Sequence, residues 1–218
     1  MRIGLKITFL SDWQVGSGLG DGHRADSCLV RDDQGLPFLP GRAVKGALRE
    51  GAHRLGFCRA DLAKAEALIF GSHCQTQDGA KSFNQPGRLT VSQGRLPGDI
   101  IDVILAADPG QRRLLVGDLT TIRVQTAIEK GTAKGGSLRS LECGLAGLFF
   151  QSQLRVDDLS DLPGESWLRQ YFQAVCAMVK SLGANRSRGL GRCRLEIDGS
   201  VANVSLPQAL DLTLRGGI

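Results

Sequence analysis

Residues 36–55 read LPFLPGRAVKGALREGAHRL, and they mark where an extended chain gives way to a helix. Pro37 and Pro40 bracket an apolar pair, and Gly41 follows; together they set the angle of that change. From Arg42 to Leu55 the apolar period becomes helical, with Val44, Ala47, Leu48, Ala52 and Leu55 on one face. Arg42, Lys45 and Arg49 recur at spacings of three and four, so they line another face. Cations in a first turn oppose the helix dipole, and the free amides at that end add to the positive field. A bound anion, phosphate above all, would resolve the conflict. An ordinary solvated helix face is the bland alternative.

Working outward, RIGLKITFL at the N-terminus alternates, with Ile3, Leu5, Ile7 and Phe9 on one side, and reads as a half-buried strand. SDWQVGSGLGDGHRADS is a long polar, glycine-rich loop. SCLVRD reads as a short strand, and Asp32 and Asp33 belong to the turn before Gly35. Downstream, DLAKAEALI suggests a short helix capped by Asp61. FGSHCQTQDGAKSFNQPG reads as a flexible insertion, and GRLTVSQG and DIIDVILA as strands. Residues 126–138, TAIEKGTAKGGSL, are poor in apolar side chains and read as a protruding loop or hairpin tip. GLFFQSQLRV alternates again. PGESWLRQYFQAVCAMVKSLG is the clearest helix, with Leu168, Phe172, Val175, Val179 and Leu182 in a stripe and Gly183 as its stop. GANRSRGLG is a basic glycine loop, and RCRLEID a final strand.

That order predicts an α+β fold: an antiparallel sheet with two main helices on one face. The ferredoxin-like, or RRM-like, arrangement is its simplest form, with insertions supplying the extra length. The 218 residues suit one domain, read here as 1–218 with an insertion at about 56–86.

Composition narrows the function classes. Apolar residues make up 42% and charged residues 22%, as in ordinary soluble domains. A net charge of +5 leans toward a polyanionic partner. Aromatics at 5% argue against broad base stacking. No signal-peptide core and no membrane-spanning run stand out, so a cytoplasmic protein without membrane contact is expected. The six cysteines lack CxxC pairing and read as small core residues rather than disulfides.

Four constellations could carry chemistry. Beyond the helix face, LGANRSRGLGRCRL sets Arg186 and Arg188 among glycines, where backbone can approach a ligand and arginine forks can grip phosphate. Asp26 stands in a loop with His23 and Arg24 close by; a carboxylate there could ligate magnesium or orient a ribose hydroxyl. His53, Cys58, His73 and Cys74 are zinc ligands by residue type, but their spacing is irregular and adjacent His73 and Cys74 rarely bind one ion. The GxGxxG spacing is missing, Lys45-Gly46 reverses the P-loop order, and no nucleophile elbow is present. These absences argue against a small-molecule nucleotide enzyme or a Ser-His-Asp hydrolase.

In combination these stretches resemble the RAMP superfamily of type III CRISPR effector complexes, and more narrowly the Csm and Cmr backbone subunit that repeats along the guide RNA. LPFLPGRAVKGALRE matches the family pattern of Pro, aromatic, Leu, Pro-Gly, small residues, Lys-Gly and Leu-Arg. IFGS and GRLTVSQ follow in family order. TAIEKGTAKGGSLRSLE matches the thumb region, with Ile128-Glu129-Lys130 standing where the family has Ile-Asp-Arg. Glu142, Gly147 and Phe150 fit the next pattern, and LGANRSRGLGRCRLEI resembles the C-terminal glycine-rich loop and strand. The ordered set covers most of the chain.

The resemblance implies a modified RRM fold with a thumb hairpin at about 120–140. It implies a subunit that stacks beside copies of itself and other effector subunits, and grips the guide CRISPR RNA. It also implies an endoribonuclease that cuts target RNA at regular intervals through a loop Asp with Mg2+ or another divalent cation. Asp26 matches that Asp by its distance to Pro37–Pro40. Arg42, Lys45 and Arg49 match guide-contacting positions; Arg186 and Arg188 fall in the glycine loop, Lys130 and Lys134 in the thumb, and His23 and Arg24 beside Asp26. The alternative within the family is a subunit, at a filament end or elsewhere, that binds RNA and cuts nothing.

Overall fold

A computed structural model of the protein describes residues 1–22, 25–75 and 82–199. In chain order it contains β1 (Arg2–Phe9), α1 (Gly41–Cys58), α2 (Ala60–Phe70), β2 (Gly71–Gln75), β3 (Ser82–Pro86), β4 (Leu89–Val91), α3 (Gly98–Ala106) and α4 (Pro109–Gly117). Then come β5 (Thr120–Gln125), β6 (Ile128–Glu129), β7 (Thr132–Ala133), β8 (Arg139–Gly144), β9 (Phe149–Val156), α5 (Glu165–Met178), a 3-10 turn at Arg186–Arg188, and β10 (Cys193–Ile197).

Four strands form the main sheet in the order β10-β1-β9-β4, each neighbour antiparallel. The alternation of β1 fixes the register: Ile7 lies opposite Leu195 on one side and Phe150 on the other, so all three face the core. Strands β1 and β4 both oppose β9 and therefore run parallel, with α1 as their crossover. Strands β9 and β10 both oppose β1 and are likewise joined by α5. Two interleaved βαβ units of this kind make the ferredoxin-like arrangement. The expected α+β fold is thus observed.

One face of the sheet carries the core. Ile3, Leu5, Ile7 and Phe9 of β1 meet Val44, Leu48 and Leu55 of α1 and Leu168, Phe172 and Val175 of α5 in one cluster. Burial of such a side chain stabilises by about 1.5–3 kcal/mol. Gly41 lets α1 start hard against the sheet: a Cβ there would sit 2.2 Å from the carbonyl oxygen of Val91 in β4.

The structure corrects several local readings. DIIDVILA is not a strand but α3, begun after Pro97 with Asp99 in its first turn and Ile104 buried. A short apolar run has no period of its own, and β-propensity yields to context. Helix α4 follows; the Asp108 carboxylate accepts from the Gly110 and Gln111 amides, and Pro109 opens the helix. SCLVRD forms single bridges rather than a strand, because Ser27 pairs with Leu141 while Leu29 pairs with Gly16 on the other side. Asp61 lies in the first turn of α2, and Arg59 holds the cap position. Helix α5 stops at Met178, five residues before Gly183. Val179 and Leu182 remain buried, but the chain there pairs Ser181 with Arg192 instead of continuing the helix.

Within the segment read as a flexible insertion, β2 and β3 pair antiparallel with Gly71 opposite Pro86. Residues 126–138 cap a longer hairpin, β5–β8, with the small β6–β7 pair beyond it. Cys143, Cys176 and Cys193 are buried free thiols, as the lack of pairing predicts, and Cys28 is half-buried. Among the described residues no helix is long and apolar enough to cross a membrane.

Candidate functional site

Three segments, at residues 12–14, 25–31 and 183–191, converge beside the β5–β8 hairpin. The first begins with Trp13, fully buried and stacked on Phe9 at 4.6 Å, with its edge toward Phe150. Trp13 exchanges backbone bonds of 2.9 and 2.8 Å with Gly144 at the end of β8. The neighbouring Asp12 ties the same segment to the hairpin: its Oδ2 accepts from Arg123 of β5, and its Oδ1 from the Ala146 amide at 3.0 Å.

The second segment is 25–31. Its backbone lies along β8, with Glu142 N donating to Ser27 O at 2.9 Å. The buried Glu142 carboxylate accepts from the Leu29 amide at 3.0 Å and from Arg31 at 2.7 Å. Arg31 also donates to the Gly35 carbonyl at 2.7 Å. A buried charge needs such pairing.

The third is the glycine loop after α5. Leu190 packs with Leu141 and Cys143 of β8, and Gly191 N donates to Asp12 O at 2.7 Å. Gly183 adopts φ +104°, and a Cβ there would stand 2.3 Å from the Gln14 carbonyl oxygen. Only glycine lets the loop lie that close.

Asp26 sits where the second segment meets the hairpin. Its Oδ2 accepts from the Ser140 amide at 2.7 Å and from the Ser140 hydroxyl at 3.1 Å, while its own amide donates to the Ser140 carbonyl at 2.9 Å. Ser140 is the second residue of β8. The side chain is exposed. The Ser140 amide, then its hydroxyl, and further on the Arg139 charge hold the Asp26 carboxyl below its ordinary range. It is therefore ionised at neutral pH, and no side chain among the described residues bonds its Oδ1. Among those residues no group of three or more His, Cys, Asp or Glu could hold a metal ion. Asp26 could supply one carboxylate ligand to a divalent cation.

The basic residues divide by what already holds them. Arg42 is exposed, with no hydrogen-bond partner among the described residues. Lys45 reaches back to the Leu89 carbonyl at 2.7 Å, and burial followed by the nearby Arg49 charge lowers its pKa. Arg49 donates to the Gly71 carbonyl at 3.0 Å and lies 3.8 Å from Glu66. Two of the three cations on that helix face thus also tie α1 to the chain beneath it. Arg186 pairs with Glu50 of α1 at 2.6 Å, and Arg188 with Gln125 at the end of β5 at 2.8 Å. Both arginines are exposed, and Arg188 reaches the tip-side end of the β5–β8 ladder. Lys130 and Lys134 lie exposed near the tip, where Lys134 is 3.4 Å from Glu129.

His23 and Arg24 lie outside the described residues. Of the zinc candidates, His53 is exposed, 3.2 Å from Glu66 and edge-on to Phe57. The side chains of Cys58, His73 and Cys74 lie outside what is described.

Sequence reasoning missed Ser140, Asp12 and Gln14. Each acts across more than 100 residues of chain or by a polar contact that leaves no periodic trace. A cleft of about 540 Å³ between α4 and the second segment was also unforeseen; Arg31, Arg112, Arg113 and Glu142 are among its walls.

Comparison with curated proteins finds no match. Solved structures share the fold. A chain of the apo-state type III-B Cmr-beta cryo-EM structure matches at TM-score 0.65 and 14% identity, covering 93% of this chain and 99% of that one. A chain of Cmr-beta bound to cognate target RNA matches at 0.63 and 13%, covering 90% and 97%. A chain of a type IV-B CRISPR complex matches at 0.56 and 16%, covering 95% and 94%. The family model of the RAMP superfamily matches residues 6–194, from within the first strand to within the last, and the chain belongs to that superfamily.

Proposed function

We propose that this chain is a guide-RNA-binding backbone subunit of a type III CRISPR effector complex, and that Asp26 serves cleavage of the target RNA. Its partners would be the guide, the target, adjacent backbone copies and other effector subunits. Membership of the superfamily and the fold shared with Cmr-beta chains support the assembly. The observation that carries the cleavage reading is the bond from Ser140 to the Asp26 carboxylate, which joins the loop Asp to the tip-side end of the β5–β8 ladder.

In this reading the exposed Arg42, Arg186 and Arg188 meet guide phosphates. Affinity is then largely electrostatic, and sequence is read by base pairing. The hairpin splays a target nucleotide, freeing its ribose from the duplex. The 2′-oxygen of that nucleotide attacks the adjacent phosphorus and gives its proton to water; the bond to the 5′-oxygen breaks, that oxygen takes a proton from water, and a 2′,3′-cyclic phosphate and a 5′-hydroxyl are left. Asp26, held ionised, accepts a hydrogen bond from the 2′-hydroxyl and orients it. Its low pKa suits orientation better than full proton abstraction. A divalent cation, for which Asp26 is the candidate carboxylate ligand, would neutralise charge at the reacting centre.

A second reading has one observation in its favour. The Asp26 carboxylate already satisfies the Ser140 amide, a structural task that an inactive scaffold also needs. Two measurements decide. RNA copurified with the protein should consist of repeat-derived guides; random RNA would remove the assembly reading. In a reconstituted complex, Asp26→Ala should abolish target cleavage and keep guide binding. A wild-type complex that binds target without cutting it would favour the scaffold.

A further inference from the structure

Gln14 is 2% exposed, yet its amide is used at both ends. Its Nε2 donates to the Ser27 hydroxyl at 3.0 Å, and its Oε1 accepts from the Asn185 side chain at 2.9 Å. Its backbone carbonyl accepts from Ala184 at 2.7 Å. A primary amide is the neutral side chain that can donate at one end and accept at the other.

The two partners are not equivalent. Asn185 holds a left-handed conformation, φ 54°, and opens the turn that carries Arg186 and Arg188. Ser27 follows Asp26, and the amides of both donate to the Ser140 carbonyl, at 2.9 and 3.3 Å. A chain of side-chain bonds therefore runs from the arginine turn at Asn185 through Gln14 to Ser27, the residue beside Asp26. Backbone bonds from Ala184 to Gln14 and from Val30 to Val15 already join these segments; the Gln14 amide adds a side-chain tie to each of its two neighbours.

We propose that Gln14 is a positioning residue that sets the distance between the phosphate-gripping arginine turn and the Asp26 carboxylate. This rests on the cleavage reading above. RNA held by the turn would then bring its scissile linkage into register with Asp26. Because misplacement by about 1 Å can cost about 100-fold in rate, a link of this kind acts on cleavage more than on binding.

The test cuts the chain at each end, using the full-length protein in a complex reconstituted with guide RNA. Ser27→Ala removes the hydroxyl; Asn185→Gly removes the amide while keeping the left-handed backbone accessible. Each should slow single-turnover cleavage by about 10-fold with guide affinity and Tm near wild type. The double variant should be no slower than the slower single one, since one link is then broken twice. Ser27→Thr, which retains the hydroxyl, should restore the rate. Cleavage near the wild-type rate in both single variants would overturn the proposal, as would additive losses or a Ser27→Thr variant as slow as Ser27→Ala. Asp26→Ala separates the two claims. If it still cleaves, both fall; if it is inactive while the link variants cut normally, only the role of Gln14 falls.

Discussion

Asp26 gains its character from Ser140. An exposed carboxylate would ordinarily titrate near the free amino acid, but here an amide and a hydroxyl both point at Oδ2. Ser140→Ala removes the hydroxyl and leaves the amide. The Asp26 pKa should therefore rise toward its ordinary value, as read by carbon-13 NMR titration of the carboxyl. An unmoved value would show that the hydroxyl does nothing there. The sign for stability follows from the lowered pKa. The bond between loop and hairpin is present above the unfolded-state pKa and is lost as pH falls through the folded one. The thiols behave oppositely. Burial pushes Cys176 and Cys193 up to about 12. Both should resist alkylation at pH 8 in the folded protein and react once it is unfolded.

At the scale of elements, Trp13 anchors the segment that carries Gln14. Trp13→Ala removes its stacking on Phe9 and its edge contact with Phe150. A loss of about 3–5 kcal/mol in denaturant unfolding is expected; a loss under about 1 kcal/mol would mean the segment is held by its backbone bonds alone. The elements also show what was legible in advance. Strands β1, β9 and β10 announce themselves by alternation, and α1 and α5 by their apolar stripes, because each lays one face on a common core. Helix α3 hid as a strand because its short apolar run has no period to read. Helix α4 carries a readable sign in Asp108 before Pro109. Asp26 stood out as a loop carboxylate beside His23 and Arg24, but a cutting role was implied only by the resemblance. Its partner stands 114 residues away, and no local pattern encodes such a contact. The glycine loop was legible in composition, while the reason for Gly183, a close carbonyl, was not.

For the whole molecule, the net charge of +5 is spent unevenly. Lys45, Arg49 and Arg31 are bound to carbonyls or carboxylates within the fold, whereas Arg42 stands free of such ties among the described residues. Arg42→Ala should weaken guide binding without lowering Tm and should reduce the salt dependence by a slope of about 0.7. Lys45→Ala should lower Tm as well, because the Leu89 carbonyl loses its donor. Equal salt slopes for Arg42→Ala and wild type would remove Arg42 from the RNA interface. The central claim, however, is cleavage at Asp26. The most direct measurement is single-turnover cutting of a guide-complementary RNA by complexes carrying wild-type or Asp26→Asn protein, with fragment ends mapped. The expected result is regularly spaced cuts ending in 2′,3′-cyclic phosphate for the wild type. The Asn variant should lose about 100-fold or more in rate, with unchanged guide affinity. Regular cuts at the wild-type rate from the Asn variant would contradict the account.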